Sequence, residues 1–175
     1  RATQATYWLG GREVLDLNLE EQAWVRLNYL GFIFQSFHLL SHATALENVA
    51  LPLHYAGVPR DDAESRASES LGRVGLAHRV DHFPAQLSGG GRQRVAIARA
   101  VISAPRLLLA DEPTGALDSK TGGEIMKLLL DLQREQGTAI VLVTHDPNVA
   151  EFAHRQIFML DGRVVSGAEA HGLRH

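Results

Sequence analysis

The stretch "LLLADEPTGALD", residues 107–118, decides how the rest of the chain is read. The apolar residues 107–110 run into two adjacent carboxylates, Asp111 and Glu112, and stop at Pro113. A short apolar run closed by a turn residue predicts a buried strand, which leaves both carboxylates at its end. Such a pair is suited to hold Mg²⁺ and to aim a water at a nucleotide phosphate. Yet none of the 175 residues forms the G-x-x-x-x-G-K-S/T loop that would cradle that nucleotide.

Working outward, the rhythm from Arg106 onward is strand, helix, strand, helix, strand. Arg106–Asp111 is the first strand, and Thr121 with Glu124 is expected to cap a helix carrying Ile125, Leu129 and Leu132. Gly137 ends that helix, and "TAIVLVTH", 138–145, reads as a second buried strand. Asp146-Pro147 opens a further helix, and "QIFMLDGRVV" closes as a hairpin turning at Asp161-Gly162. A right-handed crossover makes the two strands parallel. Asp111, Glu112 and His145 should therefore emerge at the carboxyl edge, where open α/β sheets bind ligands.

Upstream, Ala5–Leu9, Gly10-Gly11 and Glu13–Leu15 suggest a small hairpin. Asn18–Gly31 reads as a helix capped by Asn18 and Glu21, with Trp24, Leu27 and Leu30 on one stripe. "FIFQ", 32–35, is an apolar strand that would bring Gln35 to the same edge. Thr44 and Glu47 form a second capping pair before Leu46, Val49, Ala50 and Leu53, and Pro52 should shorten or kink that helix. Pro59 opens a third helix with Ala63, Ala67, Leu71 and Val74 on one face, stopped by Gly75. Residues 36–104 are thus mostly helical and the flanks α/β.

A second constellation is "LSGGGRQRVAIARAVI", 87–102. Ser88 is a good N-cap, and the helix behind the glycines offers free N–H groups to an anion. Three glycines weaken a helix start by up to ~1 kcal/mol each relative to alanine, and phosphate contact is one benefit that would offset this. Arg92, Arg94 and Arg99 are expected to be exposed or locally paired.

The bulk values fit one globular domain: 45% hydrophobic, 21% charged, net charge −3. The mild acidity gives no reason to expect a nucleic-acid partner. Zero cysteines exclude disulfides and thiol chemistry. No apolar run approaches a membrane span, and no signal-peptide pattern is present. His78 and His82 share helical spacing but lack a third ligand of obvious type. The chain opens on Arg1, which suggests a piece of a longer product.

In order and spacing, these motifs resemble the ATP-binding subunit of an ABC transporter over essentially all 175 residues. "FQ" at 34–35 is similar to the Q-loop, "LSGG" at 87–90 to the signature motif, and "RLLLADEP" at 106–113 to the Walker B strand. "ALD" at 116–118 resembles the D-loop and His145 the switch histidine. "GFIFQSFHLLSHATALENVALPL", "YAGV", "PAQLSGG", "ADEPTGALDS" and "VTHDP" are similar to the macrolide-exporter and lipoprotein-releasing branch.

The resemblance implies an α/β fold with a P-loop NTPase-like (RecA-like) parallel sheet core at 1–35 and 105–166. The core would be incomplete, with a helical subdomain inserted at 36–104 and a tail at 167–175. It implies ATP as substrate and Mg²⁺ as cofactor, with Asp111 and Gln35 toward the metal, Glu112 as general base and His145 toward the γ-phosphate. Ser88, Gly89 and Gly90 would close on nucleotide held by a second ATPase subunit, packed head to tail, and Asp118 would link the two sites. The implied partner is a transmembrane permease, and the implied location the cytoplasmic face of the inner membrane, peripherally bound.

In this family the phosphate loop lies upstream of the first hairpin, so its absence implies truncation. Gly91 stands where the family usually has Gln. A degenerate non-catalytic module and a non-transport ABC ATPase are the alternatives.

Overall fold

The computed structural model describes residues 6–9 and 11–167. Trp8–Leu9 (β1) and Arg12–Glu13 (β2) pair antiparallel, as the sequence suggests, although Ala5 and Gly10 lie outside the described residues. Leu19–Tyr29 (α1) begins at the expected capping box, with Asn18 Oδ1 accepting the Glu21 N–H and Glu21 accepting the Asn18 N–H, both at 2.9 Å. The helix stops two residues short of the expected Gly31, because Leu30 and Gly31 already belong to the strand Leu30–Phe34 (β3).

Gly31 has a packing role that only the tertiary structure reveals. A Cβ there would stand 2.4 Å from the Ala100 carbonyl oxygen, so only a glycine lets the helical layer approach the sheet this closely.

Three helices follow. Ala45–Tyr55 (α2) starts at the Thr44/Glu47 capping box, and the hydrogen bonds from Thr44 hold the Glu47 carboxyl below its ordinary value. Pro52, expected to shorten or kink α2, does not cut it short: the helix runs on to Tyr55. Val49 and Ala50 before it and Leu53 after it are all buried, so packing on both sides carries the helix across the missing N–H. Arg60–Arg73 (α3) buries Ala63, Ala67 and Leu71 and gives way to left-handed Gly75. After 3₁₀ turns at Ala77–Arg79 and Pro84–Gln86, Gly89–Val101 (α4) runs through the middle of the helical layer with Val95–Ala98 buried.

Leu107–Asp111 (β4) then pairs parallel with β3, Ser119–Gln136 (α5) crosses over, and Ala139–Val143 (β5) pairs parallel with β4. The sheet order is β3-β4-β5. Ile125, Leu129 and Leu132 are the buried stripe of α5, and Gly137 (φ +67°) ends it. The cap differs from the sequence reading: Asp118, not Thr121, caps α5, because its carboxylate reaches the Thr121 N–H at 3.0 Å.

β5 is also less buried than its apolar sequence suggests. Val141 is 49% and Val143 57% exposed. Among the described residues β5 pairs only with β4, and so forms an edge of the sheet.

The chain divides after Val143 into two compact units. In the second, Asp146 caps the short helix Pro147–Ala150 (α6), its Oδ1 accepting the Asn148 N–H at 2.9 Å. Phe158–Leu160 (β6) and Arg163–Val165 (β7) form the expected hairpin. Its turn is left-handed at both Asp161 (φ +47°) and Gly162 (φ +76°), as a two-residue turn matched to strand twist requires.

Asn48 organises the start of the helical layer. It is fully buried, its Oδ1 accepts the Leu40 N–H at 2.8 Å, and its Nδ2 faces the carbonyls of Leu40, Ala43 and Thr44 at 2.9–3.1 Å. Asn48→Ala removes the side-chain partner of the Leu40 N–H and of the Ala43 carbonyl, while the Leu40 and Thr44 carbonyls keep the Ala43 and Asn48 backbone N–H groups. It should therefore destabilise the chain by at least about 2 kcal/mol, read as a lower urea midpoint at unchanged m-value.

Candidate functional site

Strand register sets the site's geometry. Phe34, Asp111 and Val143 are cross-strand neighbours at the carboxyl ends of β3, β4 and β5. Gln35 and Glu112 are therefore the next residues off adjacent parallel strands. The Glu112 N–H donates to the Val143 carbonyl at 2.9 Å, continuing the pairing one step beyond the strand. Glu112 is then forced left-handed, φ +45°, a conformation that costs an L-residue about 1–2 kcal/mol.

Several contacts hold this turn. The Gly115 N–H donates to the Glu112 carbonyl (3.1 Å), and Pro113 is fully buried. From α4, Gln93 Nε2 donates to the Pro113 carbonyl at 2.7 Å. Gln35 lies over the far side of the turn: a Cβ on Gly115 would stand 2.8 Å from Gln35 Nε2. A glycine at 115 is what lets Gln35 rest there. Asp111 is exposed and Glu112 half-buried, so both carboxylates stand where a ligand can reach them.

The segment after Gln35 is also held from α4. Phe37 and His38 are left-handed (φ +62° and +48°). Arg99 donates to both their carbonyls, at 2.9 Å and 2.6 Å, and the Arg92 guanidinium sits 5.0 Å from the Phe37 ring centroid. Burial lowers the Arg99 guanidinium from its ordinary value, though it stays charged. Arg94 bonds the Val74 carbonyl (3.1 Å) and Glu124 (3.2 Å). Arg94 and Arg99 are locally paired, as expected, whereas Arg92 packs over the Phe37 ring with its Nε buried and unbonded; Arg92 and Arg99 both act on the Gln35 loop.

At the start of α4, Ser88 Oγ accepts the Gly91 N–H at 3.1 Å. That bond uses backbone at 91, so Gly91 keeps the cap intact. The glycine run has an internal reason beyond any anion. A Cβ on Gly90 would stand 2.6 Å from Thr121 Cγ2, and one on Gly89 would stand 3.2 Å from Leu117 Cδ2. Ser88–Gly90 and the 116–121 segment are therefore packed together within one chain. Asp118 bonds both the Thr121 hydroxyl (2.6 Å) and its N–H (3.0 Å), and these bonds hold the exposed carboxyl below the ordinary aspartate value. His145 follows Val143 by two residues and belongs to the second unit.

Gln93, Arg92 and Arg99 were not singled out as site residues from sequence. The available signal was a glutamine on the apolar face of α4, in line with Ala96, Ile97 and Ala100.

Two outcomes follow from this packing. Gly90→Ala should destabilise the chain by about 1–3 kcal/mol through overpacking. Adding Thr121→Ser, which removes the clashing methyl and keeps the hydroxyl, should restore most of that in thermal unfolding. The Asp118 carboxyl, being lowered on folding, adds stability that is complete above its unfolded value near 3.8 and fades as pH falls through its lower folded value. Carboxyl ¹³C titration should thus find Asp118 ionised below pH 3.8, with Thr121→Val raising its midpoint.

Comparison with known proteins bears on this arrangement. The family model described as ABC transporter matches residues 2–115. The macrolide export ATP-binding/permease protein MacB of Escherichia coli is 48% identical over 170 residues, 97% of this chain and 26% of that protein. The pyoverdine export ATP-binding/permease protein PvdT of Pseudomonas putida is equally similar over the same shares. The chain thus spans about a quarter of the length of these relatives. Among solved structures, the ATP-binding cassette MJ0796 as a dimer in a post-hydrolysis state, bound to ADP and Pi, superposes with a TM-score of 0.83 at 44% identity. That match covers 93% of this chain and 72% of that one. A dimeric structure of MJ0796 described as a bacterial ABC transporter cassette gives 0.83 at 45%. With matching sequence, parallel sheet and motif order, the chain belongs to the ABC transporter ATP-binding family and has its P-loop NTPase fold.

Proposed function

We propose that this chain forms part of the ATP-hydrolysing cassette of an exporter-type ABC transporter. The observation that carries this reading is the register aligning Phe34, Asp111 and Val143, which sets Gln35 and Glu112 side by side off neighbouring strands. Glu112 is the general base that takes a proton from the attacking water. Its left-handed turn fixes the backbone behind that carboxylate. His145 contacts the γ-phosphate and orients the same water, in keeping with the family's switch histidine.

The donor set fits a hard cation. Asp111 offers an exposed carboxylate and Gln35 an amide oxygen. That is the pattern of Mg²⁺, which takes one or two protein oxygens and fills its shell with phosphates and water. When bound, Mg²⁺ supplies charge neutralisation for the transferring phosphoryl group. The chain's own contribution is to position the base and exclude misaligned water.

Ser88, Gly89 and Gly90 present the start of α4 to the γ-phosphate of ATP held by a second subunit, and Asp118 links the two sites. The dimeric structures of MJ0796 support a pairing of two such subunits. The relatives named as ATP-binding/permease proteins support a transmembrane permease as partner, and we place the cassette peripherally at the cytoplasmic face of the inner membrane. No helix among the described residues is long and apolar enough to cross a membrane. A non-catalytic ABC module is the alternative reading. An in-frame G-x-x-x-x-G-K-S/T in the gene upstream of Arg1 would decide for the first.

The 175-residue chain on its own should hydrolyse no ATP above background in a phosphate-release assay. Turnover by it that Glu112→Gln abolishes would overturn that expectation. In a complete cassette carrying this sequence, Glu112→Gln should lower kcat by about 10²–10⁴-fold.

A further inference from the structure

Gln93 is fully buried, yet only half of its amide is used. Nε2 donates to the Pro113 carbonyl at 2.7 Å, while Oε1 is buried with no hydrogen-bond partner. An orphaned buried acceptor cancels most or all of what one hydrogen bond contributes to stability. A methionine or leucine there would pack at least as well among Ala96, Ile97 and Ala100. The stability of the fold therefore gives little reason for a glutamine at 93.

Position supplies a reason. The bond reaches the residue directly after Glu112, whose left-handed backbone needs external restraint. Gln93 also lies one helical turn beyond the Ser88 cap. Gly89 and Gly90 meet Leu117 and Thr121 on the same side, so the start of α4 brackets the 112–121 segment at both ends.

We propose that Gln93 is a positioning residue: its side-chain N–H fixes the Glu112–Gly115 turn to the second turn of α4, coupling ligand capture at Ser88–Gly90 to the presentation of Glu112 in the same chain. The value of this coupling rests on the proposed role of Glu112 as base, but the tie itself is a property of the fold. A ligand that displaces the start of α4 would pull through this bond on the Pro113 carbonyl and so on the backbone that carries Glu112.

Amide hydrogen exchange by NMR on the 175-residue chain tests the tie without requiring catalysis. Gln93→Met keeps length and volume and removes the donor. The expected result is at least tenfold faster exchange at Glu112, Gly115 and Leu117, with the thermal midpoint unchanged or raised and the amides of β3 and β4 as protected as before. A parallel fall in local and global protection would assign Gln93 to packing alone and overturn the proposal, as would a local change below twofold. Should Gln93→Met fail to fold, the unaltered chain decides. Its Gln93 side-chain amide protons should exchange at least tenfold more slowly than those of exposed Gln86, whose side-chain bond uses only Oε1, and equal rates would sink the tie. Failure of Glu112→Gln to affect turnover in a complete cassette would remove the catalytic reading while leaving these exchange results to judge the tie.

Discussion

The arrangement depends on β4 being paired on both sides, in parallel and in step. β3 and β5 lock onto it over the same five residues, so three chain segments far apart in sequence end at one level. Parallel pairing tolerates no slip here, because a one-residue shift would exchange the buried Leu108 and Ala110 for their neighbours. The hydrophobic pattern that buries the strand therefore also fixes the height at which Gln35 and Glu112 leave it. Packing and chemistry are set by the same register.

A second constraint acts across the layers. α4 approaches the sheet closely because Gly31 has no side chain to meet the Ala100 carbonyl, and it approaches α5 closely because Gly90 has none to meet Thr121. Once seated, α4 acts on the loops at the sheet edge through its side chains: Arg99 and Arg92 on the Phe37–His38 segment, Gln93 on the turn after Glu112. Both of those segments contain left-handed non-glycine residues. Strained backbone persists only where its surroundings over-determine it, and the arginine and glutamine bonds supply that determination. A helix that reads in sequence as a phosphate-facing motif also serves as the clamp for the chain's own acidic rim.

Local structure was largely legible from the residues. The two capping boxes at Asn18/Glu21 and Thr44/Glu47, the Gly75 and Gly137 stops and the Asp161-Gly162 turn depend on neighbours within a few positions, and each occurs where the sequence places it. Two of the failures were non-local, and the third, the α5 cap, was a local misreading. Pro52 was overridden by burial on both sides of it, and β5 is half-exposed because an apolar sequence does not say whether a strand is central or at an edge. The α5 cap moved to Asp118 because an aspartate just before the helix reaches the Thr121 N–H that a Thr121-centred cap would have needed elsewhere.

By itself, the sequence determined the family, the alternation of strand and helix, and which residue types stand at strand ends, since motif order and short-range periodicity are written directly in the chain. The tertiary structure alone decided that Gln35 rests on Gly115, that Gly90 is required by a threonine thirty-one positions away, and that Gln93 holds the backbone beside Glu112. These contacts join residues whose spacing carries no period. They exist only because parallel pairing and close helix approach bring distant segments within hydrogen-bonding range.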